Sequence, residues 1–292
     1  MSRHPGSAWD RARRSWTVRA PSWARCAVML LAVAALGGCI SEQREQEIGD
    51  ELALQINERT PLVTDPALNR YVNRLGLLIA RHSGRPNLHY HFYIVNSDVV
   101  NAFAIPGGHV YINRGLIERT RNVSELSAVM AHEIGHVAAR HGARMLERRL
   151  RTGSVSSIMY KLILGREPTL LDESSLRLGS ALWSASHSRE AETEADHLAV
   201  GYLIQSGIDP EGIVTFLNRL QREEAMTPTR TLAWFATHPM TRERIAITEE
   251  EIHKDMPNPP PHLAFDIASY PDFLRRVKAL PPPPLLHPVQ LP

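Results

Sequence analysis

Two histidines four residues apart, His132 and His136, enclose Glu133 within the stretch Ala128–His141. On a helix this spacing puts both imidazoles on one face, where they can grip a single ion. Glu133 stands beside the first histidine, close enough for its carboxylate to reach a water on that ion. The pattern His-Glu-x-x-His is suited to metal-assisted hydrolysis: zinc lowers the pKa of a water and the glutamate removes its proton. The expectation is one Zn2+ per chain, with Glu133 as general base and then as acid to a leaving amine. The plain alternative is an amphipathic helix whose histidines ride its polar edge. His141, nine residues after His132, falls about half a turn round the same helix and is read as structural.

A third ligand should be an acid from another helix. Ser188-Arg189-Glu190-Ala191-Glu192-Thr193-Glu194-Ala195-Asp196 supplies candidates. Glu192 and Asp196 share a face at i, i+4, so one can coordinate while the other orients a ligand histidine from behind. Glu190 and Glu194 flank Glu192 by two residues and are read as pointing elsewhere. Spacing alone leaves Glu192 and Glu194 even as the ligand. Farther on, Thr237-His238-Pro239 has two readings. Proline suits the first position of a helix, which makes His238 a cap residue; alternatively His238 reaches the cleft, as an oxyanion donor or as a fourth ligand that keeps the site latent.

These residues need a scaffold. Leu126, Val129, Met130, Ile134 and Val137 recur at three- and four-residue steps, the mark of a core-facing helix, which starts at Asn122 (with Glu125 three residues on) or at Ser124. Before it, residues 43–59 read as an amphipathic helix, and Asp65-Pro66 opens a second that runs to about His82. Residues 88–96 are strand-like. Residues 101–113 read as two short strands hinged at Pro106-Gly107-Gly108, and the proline marks a sheet edge. That edge, at Asn101, Ala102 and Phe103, could accept a substrate as an added strand. His109 is read as a hairpin surface residue, not a ligand. Residues 153–164 and 173–186 read as helices too short to span a membrane. One helix continues from Ser188 to a stop at Gly207, Asp209-Pro210 opens another, and Thr237-His238-Pro239 opens the last.

The chain carries 33 Lys and Arg against 31 Asp and Glu. Six of the arginines, but only Asp10 of the acids, fall in residues 1–38, so the remainder is net acidic and offers no surface for nucleic acid. The arginines precede an eleven-residue apolar run, Cys26–Leu36, too short for a span of about twenty residues but suited to a signal-peptide core. Leu36-Gly37-Gly38-Cys39 resembles a bacterial lipobox, which implies removal of residues 1–38 and lipidation of Cys39. With Ile40 next, the resemblance favours the outer membrane. After Met256, the proline-broken stretch 256–292 is read as an extended or disordered tail.

The motif at His132–His136, followed by Ser188-Arg189 and Glu192-Thr193-Glu194-Ala195-Asp196, resembles the HtpX-like, CAAX-prenyl-protease-like zinc metallopeptidases of the gluzincin type. The segments at Asn101–Gly108 and Thr237–Pro239, with Arg244-Ile245, are similar to that family's as well. The resemblance implies that Glu192 is the third ligand and Asp196 its supporting acid. It further implies an α+β fold, mostly helical, with a small antiparallel sheet beside the active-site helix. Among subgroups the lipobox and the lack of spans suggest the lipid-anchored BepA/LoiP type over the multi-span HtpX type, with the departure from BepA that no tetratricopeptide array is expected. The expected organisation is a signal peptide at 1–38, a metallopeptidase domain at 39–255 and a tail at 256–292. The expected function is a periplasmic zinc endopeptidase, anchored to the membrane through Cys39, acting on misfolded or immature envelope proteins, with the outer-membrane assembly machinery as an expected partner. The competing class is a non-catalytic chaperone or assembly factor with a structural zinc, against which Glu133 argues.

Overall fold

A computed structural model describes residues 40–85, 87–151, 188–226, 233–239, 241–257, 263–264 and 269–283. The signal and lipobox segment and the helical stretches expected at 153–164 and 173–186 lie outside the described residues. In chain order the elements are α1 (Glu42–Arg59), α2 (Pro66–Ala80), β1 (His91–Val95), β2 (Ala102–Ile105), β3 (His109–Asn113), α3 (Arg114–Ile117), α4 (Val123–Ala138), α5 (His141–Arg151), α6 (Arg189–Gln205), α7 (Glu211–Met226), α8 (Ala233–Thr237), α9 (Arg242–Asp255) and α10 (Tyr270–Lys278). Among the described residues no helix is long and apolar enough to cross a membrane.

Helix α4 is the hub. Its start is Asn122, whose side chain accepts the Glu125 N–H at 2.9 Å, while the Glu125 carboxylate accepts the Arg121 N–H at 2.7 Å. Val123 to Val137 are all buried, so the helix is wrapped on every side and its polar motif is carried into the core. It ends at Ala138, short of His141, which the sequence places on the same helix. Arg140 takes the left-handed conformation, with φ 57°, and the chain turns into α5 at His141. His141 is therefore not on the same helix as His132.

Helix α6, capped by Ser188, crosses α4 at Gly135. A Cβ at Gly135 would sit 2.9 Å from the Ala195 carbonyl oxygen, so only glycine lets the two backbones meet this closely. Gly207, at φ 70°, closes α6 as predicted.

The α+β expectation holds, but the sheet is mixed where a wholly antiparallel one was expected. Its order is β1-β3-β2, with β3 antiparallel to β2 and parallel to β1. The chain reverses after β1, runs along the far side as β2, and reverses again through Gly107 and Gly108 at φ 85° and 92°. Two reversals leave β3 parallel to β1 and inserted between its neighbours. Val110 and Ile112 enter the core, while Tyr111 faces α1 and donates to Asn57 Oδ1 at 3.0 Å. Because β3 is central, His109 is buried and not on the surface; its Nε2 is 2.8 Å from Asp50 Oδ1 and its Nδ1 3.3 Å from the Tyr93 hydroxyl.

Two expectations about the C-terminal part are corrected. The helix after Thr237-His238-Pro239 is capped by Thr241, whose hydroxyl accepts the Arg244 N–H at 3.1 Å, so Pro239 opens nothing and His238 is no cap. The stretch read as an extended tail contains α10, with Pro271 in its first turn and Tyr270, Phe273 and Val277 buried. Phe273 stacks on Tyr71 of α2 with centroids 4.1 Å apart. Phe273→Ala is accordingly expected to destabilise the domain by about 3 to 5 kcal/mol, the cost of emptying a buried phenyl site, in denaturant unfolding. An unchanged unfolding midpoint would mean that α10 is dispensable to the core.

Candidate metal centre

His132, His136, Glu192 and His238 are all buried, and each offers one ligand atom within 4.8 Å of the others. The first two come from α4, Glu192 from the first turn of α6, and His238 from the link between α8 and α9. His132 Nε2 and His136 Nε2 are 3.0 Å apart, and His238 Nδ1 is 3.2 Å from His132 Nε2. The Glu192 carboxylate lies 3.5 Å from His132 Nε2, 3.4 Å from His136 Nε2 and 3.1 Å from His238 Nδ1. Tetrahedral zinc with bonds of about 2.0–2.1 Å separates its ligand atoms by roughly 3.3 Å, so the spacing fits that ion.

Proton accounting makes the fit stronger. His132 Nδ1 is 2.8 Å from Asp196 Oδ1, an acceptor only, so the proton of the neutral ring sits on Nδ1. Its Nε2 then faces a second imidazole nitrogen at 3.0 Å, a separation that a shared proton or a metal ion can bridge. Burial opposes charging His132, but its hydrogen bonds to Asp196 and Glu192 outweigh burial and push the imidazole up to about 10, so that without a metal a second proton takes the cation's place. Burial would likewise raise Glu192, yet the facing His238, His132 and His136 rings hold it well below the ordinary carboxylate range. The pocket is built to attract positive charge.

Behind the ligands stands Arg244 of α9, itself buried. Its Nε donates to Asp196 Oδ2 at 2.8 Å and its Nη2 to Asp196 Oδ1 at 2.9 Å, while Nη1 lies 2.8 Å from Glu192 Oε2. Arg244 thus ties the α6 carboxylates into one fork.

Glu133 is fully enclosed. Its Oε1 has no hydrogen-bond partner and lies 3.4 Å from His238 Nε2, while the Ala104 N–H of β2 hydrogen-bonds the carboxylate. Burial raises its pKa, with His238 and His132 working against the shift, so it becomes a better proton acceptor than an exposed glutamate. The Trp234 indole stacks on His238 at 4.1 Å.

The structure brings together His132, Glu133, His136, Glu192, Asp196 and His238. Asn101, Ala102 and Phe103 lie at and before the start of β2, on the strand whose Ala104 reaches Glu133. Three participants escaped the sequence reading. Arg244 was visible only as part of a resemblance, though two buried carboxylates on one helix face call for a cation. Glu194 and His141 were set aside, yet His141 Nδ1 is 2.7 Å from His136 Nδ1 and His141 Nε2 is 3.1 Å from Glu194 Oε2.

Residues 66–252 match the family model described as peptidase family M48, a stretch containing every residue of the cluster. The chain is 33% identical over 216 residues to the beta-barrel assembly-enhancing protease of Escherichia coli strain K12, covering 72% of this chain and 44% of that protein. It is 32% identical over 181 residues to the mitochondrial metalloendopeptidase OMA1 of Schizosaccharomyces pombe, covering 62% and 52%. Against the metalloprotease LoiP of Escherichia coli strain K12 it is 28% identical over 221 residues, covering 74% and 83%. The chain thus spans less than half the length of the first of these relatives.

Arg244→Met should leave Asp196 and Glu192 buried without their cation. The expected loss is about 3 to 5 kcal/mol in denaturant unfolding of the metal-free protein, the usual consequence of removing one partner of a buried ion pair. Stability equal to that of the parent would show that the fork is not needed.

Proposed function

This chain belongs to peptidase family M48, and from that premise we propose that it is a zinc-dependent endopeptidase of the bacterial envelope, hydrolysing peptide bonds in misfolded or immature envelope proteins. The observation that carries this reading is Glu133: a buried carboxylate with one unpartnered oxygen beside a four-donor cluster. A structural zinc has no use for such a group, which argues against a purely non-catalytic assembly factor.

His132, His136 and Glu192 would hold the metal, which when bound supplies Lewis acidity toward water and the scissile carbonyl. Glu133 Oε1 takes a proton from the attacking water as its oxygen adds to the carbonyl carbon. The same carboxylate then delivers that proton to the amine nitrogen as the C–N bond breaks. The Ala104 N–H holds Glu133 in place, and Asp196 with Arg244 keeps the His132 Nε2 lone pair aimed at the cluster. Strand β2 ends the sheet order on one side, and its outer edge would offer main-chain groups to an extended substrate from Asn101 to Phe103.

His238 is read as a fourth ligand that keeps the site latent. Its Nδ1 lies within the ligand cluster, and the helix that presents it is tied to the approach to β2 by the Trp234 N–H on the Val100 carbonyl at 3.0 Å. A strand pairing along that edge would disturb this tie and release the imidazole.

The envelope assignment rests on the export-like segment, on the lipobox at Cys39 and on the similarity to a protease whose name places it with β-barrel assembly. Residues 1–38 would be removed and Cys39 lipidated, anchoring the domain that begins at residue 39 to the outer membrane, facing the periplasm. Protein substrates there, and a link to the outer-membrane assembly machinery, follow from the same reading.

Glu133→Gln is expected to keep stoichiometric zinc and to lose about a hundredfold or more of casein cleavage, since only the proton acceptor changes. Glu192→Gln should instead lose zinc, as read by metal analysis; full activity in either variant would overturn the assignment. His238→Ala should raise basal proteolysis. A rate lower by about ten- to a thousandfold would make His238 an oxyanion donor instead.

A further inference from the structure

His141 opens α5 immediately after the left-handed turn at Arg140, and it is buried against a proposed ligand. Its Nδ1 is 2.7 Å from His136 Nδ1, and its Nε2 is 3.1 Å from Glu194 Oε2. Only one proton fits between two ring nitrogens, so one imidazole donates and the other accepts. The Glu194 carboxylate only accepts, which places the His141 proton on Nε2 and leaves His141 Nδ1 as an acceptor. His136 must then donate from Nδ1. Its Nε2, the atom turned toward His132 Nε2 and Glu192, then carries no proton and presents its lone pair to the cluster.

We propose that His141 and Glu194 are positioning residues that fix the Nδ1-protonated tautomer of His136 and aim its Nε2 at the metal. The proposal rests on the zinc reading above and adds to it a second orienting arm, separate from Asp196 and Arg244. The two arms differ in a way that charge explains. His132 leans directly on a buried carboxylate, which Arg244 compensates. His136 leans on a neutral ring, and the carboxylate behind that ring, Glu194, is 45% exposed, with Arg144 3.6 Å away. A carboxylate placed directly on His136 would be another buried negative charge without a cation. An intervening imidazole passes the orientation outward to water, where the charge costs little. The turn at Arg140 makes this possible, and its guanidinium is held by Glu45 Oε2 at 2.7 Å.

The test uses the full chain, comparing the parent with His141→Phe, His141→Asn and Glu194→Ala. Phenylalanine keeps the ring volume and removes the acceptor; the asparagine carbonyl oxygen falls where Nδ1 was and restores it. Zinc affinity is read by competition with a chelating dye, and the visible spectrum of the cobalt-loaded protein reports ligand geometry. Melting of the metal-free protein reports packing. His141→Phe should weaken zinc about ten- to a hundredfold and alter the cobalt spectrum, and His141→Asn should recover most of both. Glu194→Ala, on the half-exposed side, should weaken zinc by about threefold or more and guards against failure of the Phe variant to fold. Equal losses in the Phe and Asn variants, or parental affinity in His141→Phe or Glu194→Ala, would overturn the proposal while leaving the zinc reading intact. A parent chain that binds no zinc would overturn both.

Discussion

Three carboxylates, Glu133, Glu192 and Asp196, are buried within one pocket, and the rest of the domain is arranged around making that tolerable. An isolated buried carboxylate is prohibitively costly, so each needs a partner of opposite charge or a full set of donors. The fold supplies one permanent cation, Arg244, which a divalent ion would complement to balance the three. From this the architecture follows. Two of the acids lie on α6, so α6 must cross the motif helix α4 at touching distance, and Gly135 against Ala195 is where it does. Arg244 must arrive from behind, so α9 begins at Thr241 and its first turn faces Asp196. The third acid, Glu133, is reached by a backbone donor from the edge strand, which brings the sheet against the same helix.

What could be read from the sequence was what is local. His132, Glu133 and His136 are fixed relative to one another by a single helical turn, and Glu192 and Asp196 by another. Which of Glu192 and Glu194 faces the cluster is a matter of how α6 is rotated against α4, a tertiary quantity that spacing does not contain. Both acids turn out to address the motif histidines, one directly and one through His141. That relay was hidden because the break between α4 and α5 carries no strong punctuation. Ala138-Ala139-Arg140 reads as continuous helix, and the only hint is Gly142, two residues past the turn.

The sheet and the C-terminal segment follow the same logic. Each strand was legible from composition, but their order is a property of the connections, and β3 inserts between β1 and β2. Helix α10 did carry a signal. Tyr270, Phe273 and Val277 recur at three and four residues, and Pro271 sits where a helix tolerates it. The prolines on both sides mask it, because they dominate the composition of the whole stretch while the periodicity occupies only one short window.

Of the four groups within ligand reach, His238 is held differently from the others. His132 and His136 lie on a 16-residue helix and Glu192 on a 17-residue one, each packed deep in the core. His238 follows the five-residue helix α8, too short to be stable on its own. Its ring stacks on the Trp234 indole one turn back, and its place depends on tertiary contacts: its Nδ1 lies 3.1 Å from Glu192 Oε1, and the Trp234 N–H donates to the carbonyl of Val100, just before the edge strand. Moving His132, His136 or Glu192 would mean dismantling a core helix. Moving His238 requires that its contacts with Glu192, His132 and Trp234 be exchanged, and Trp234 is tied in turn to Val100, just before the strand where an extended chain would dock. A cluster with three donors on long core helices and one beside a short helix is thus a consequence of element length.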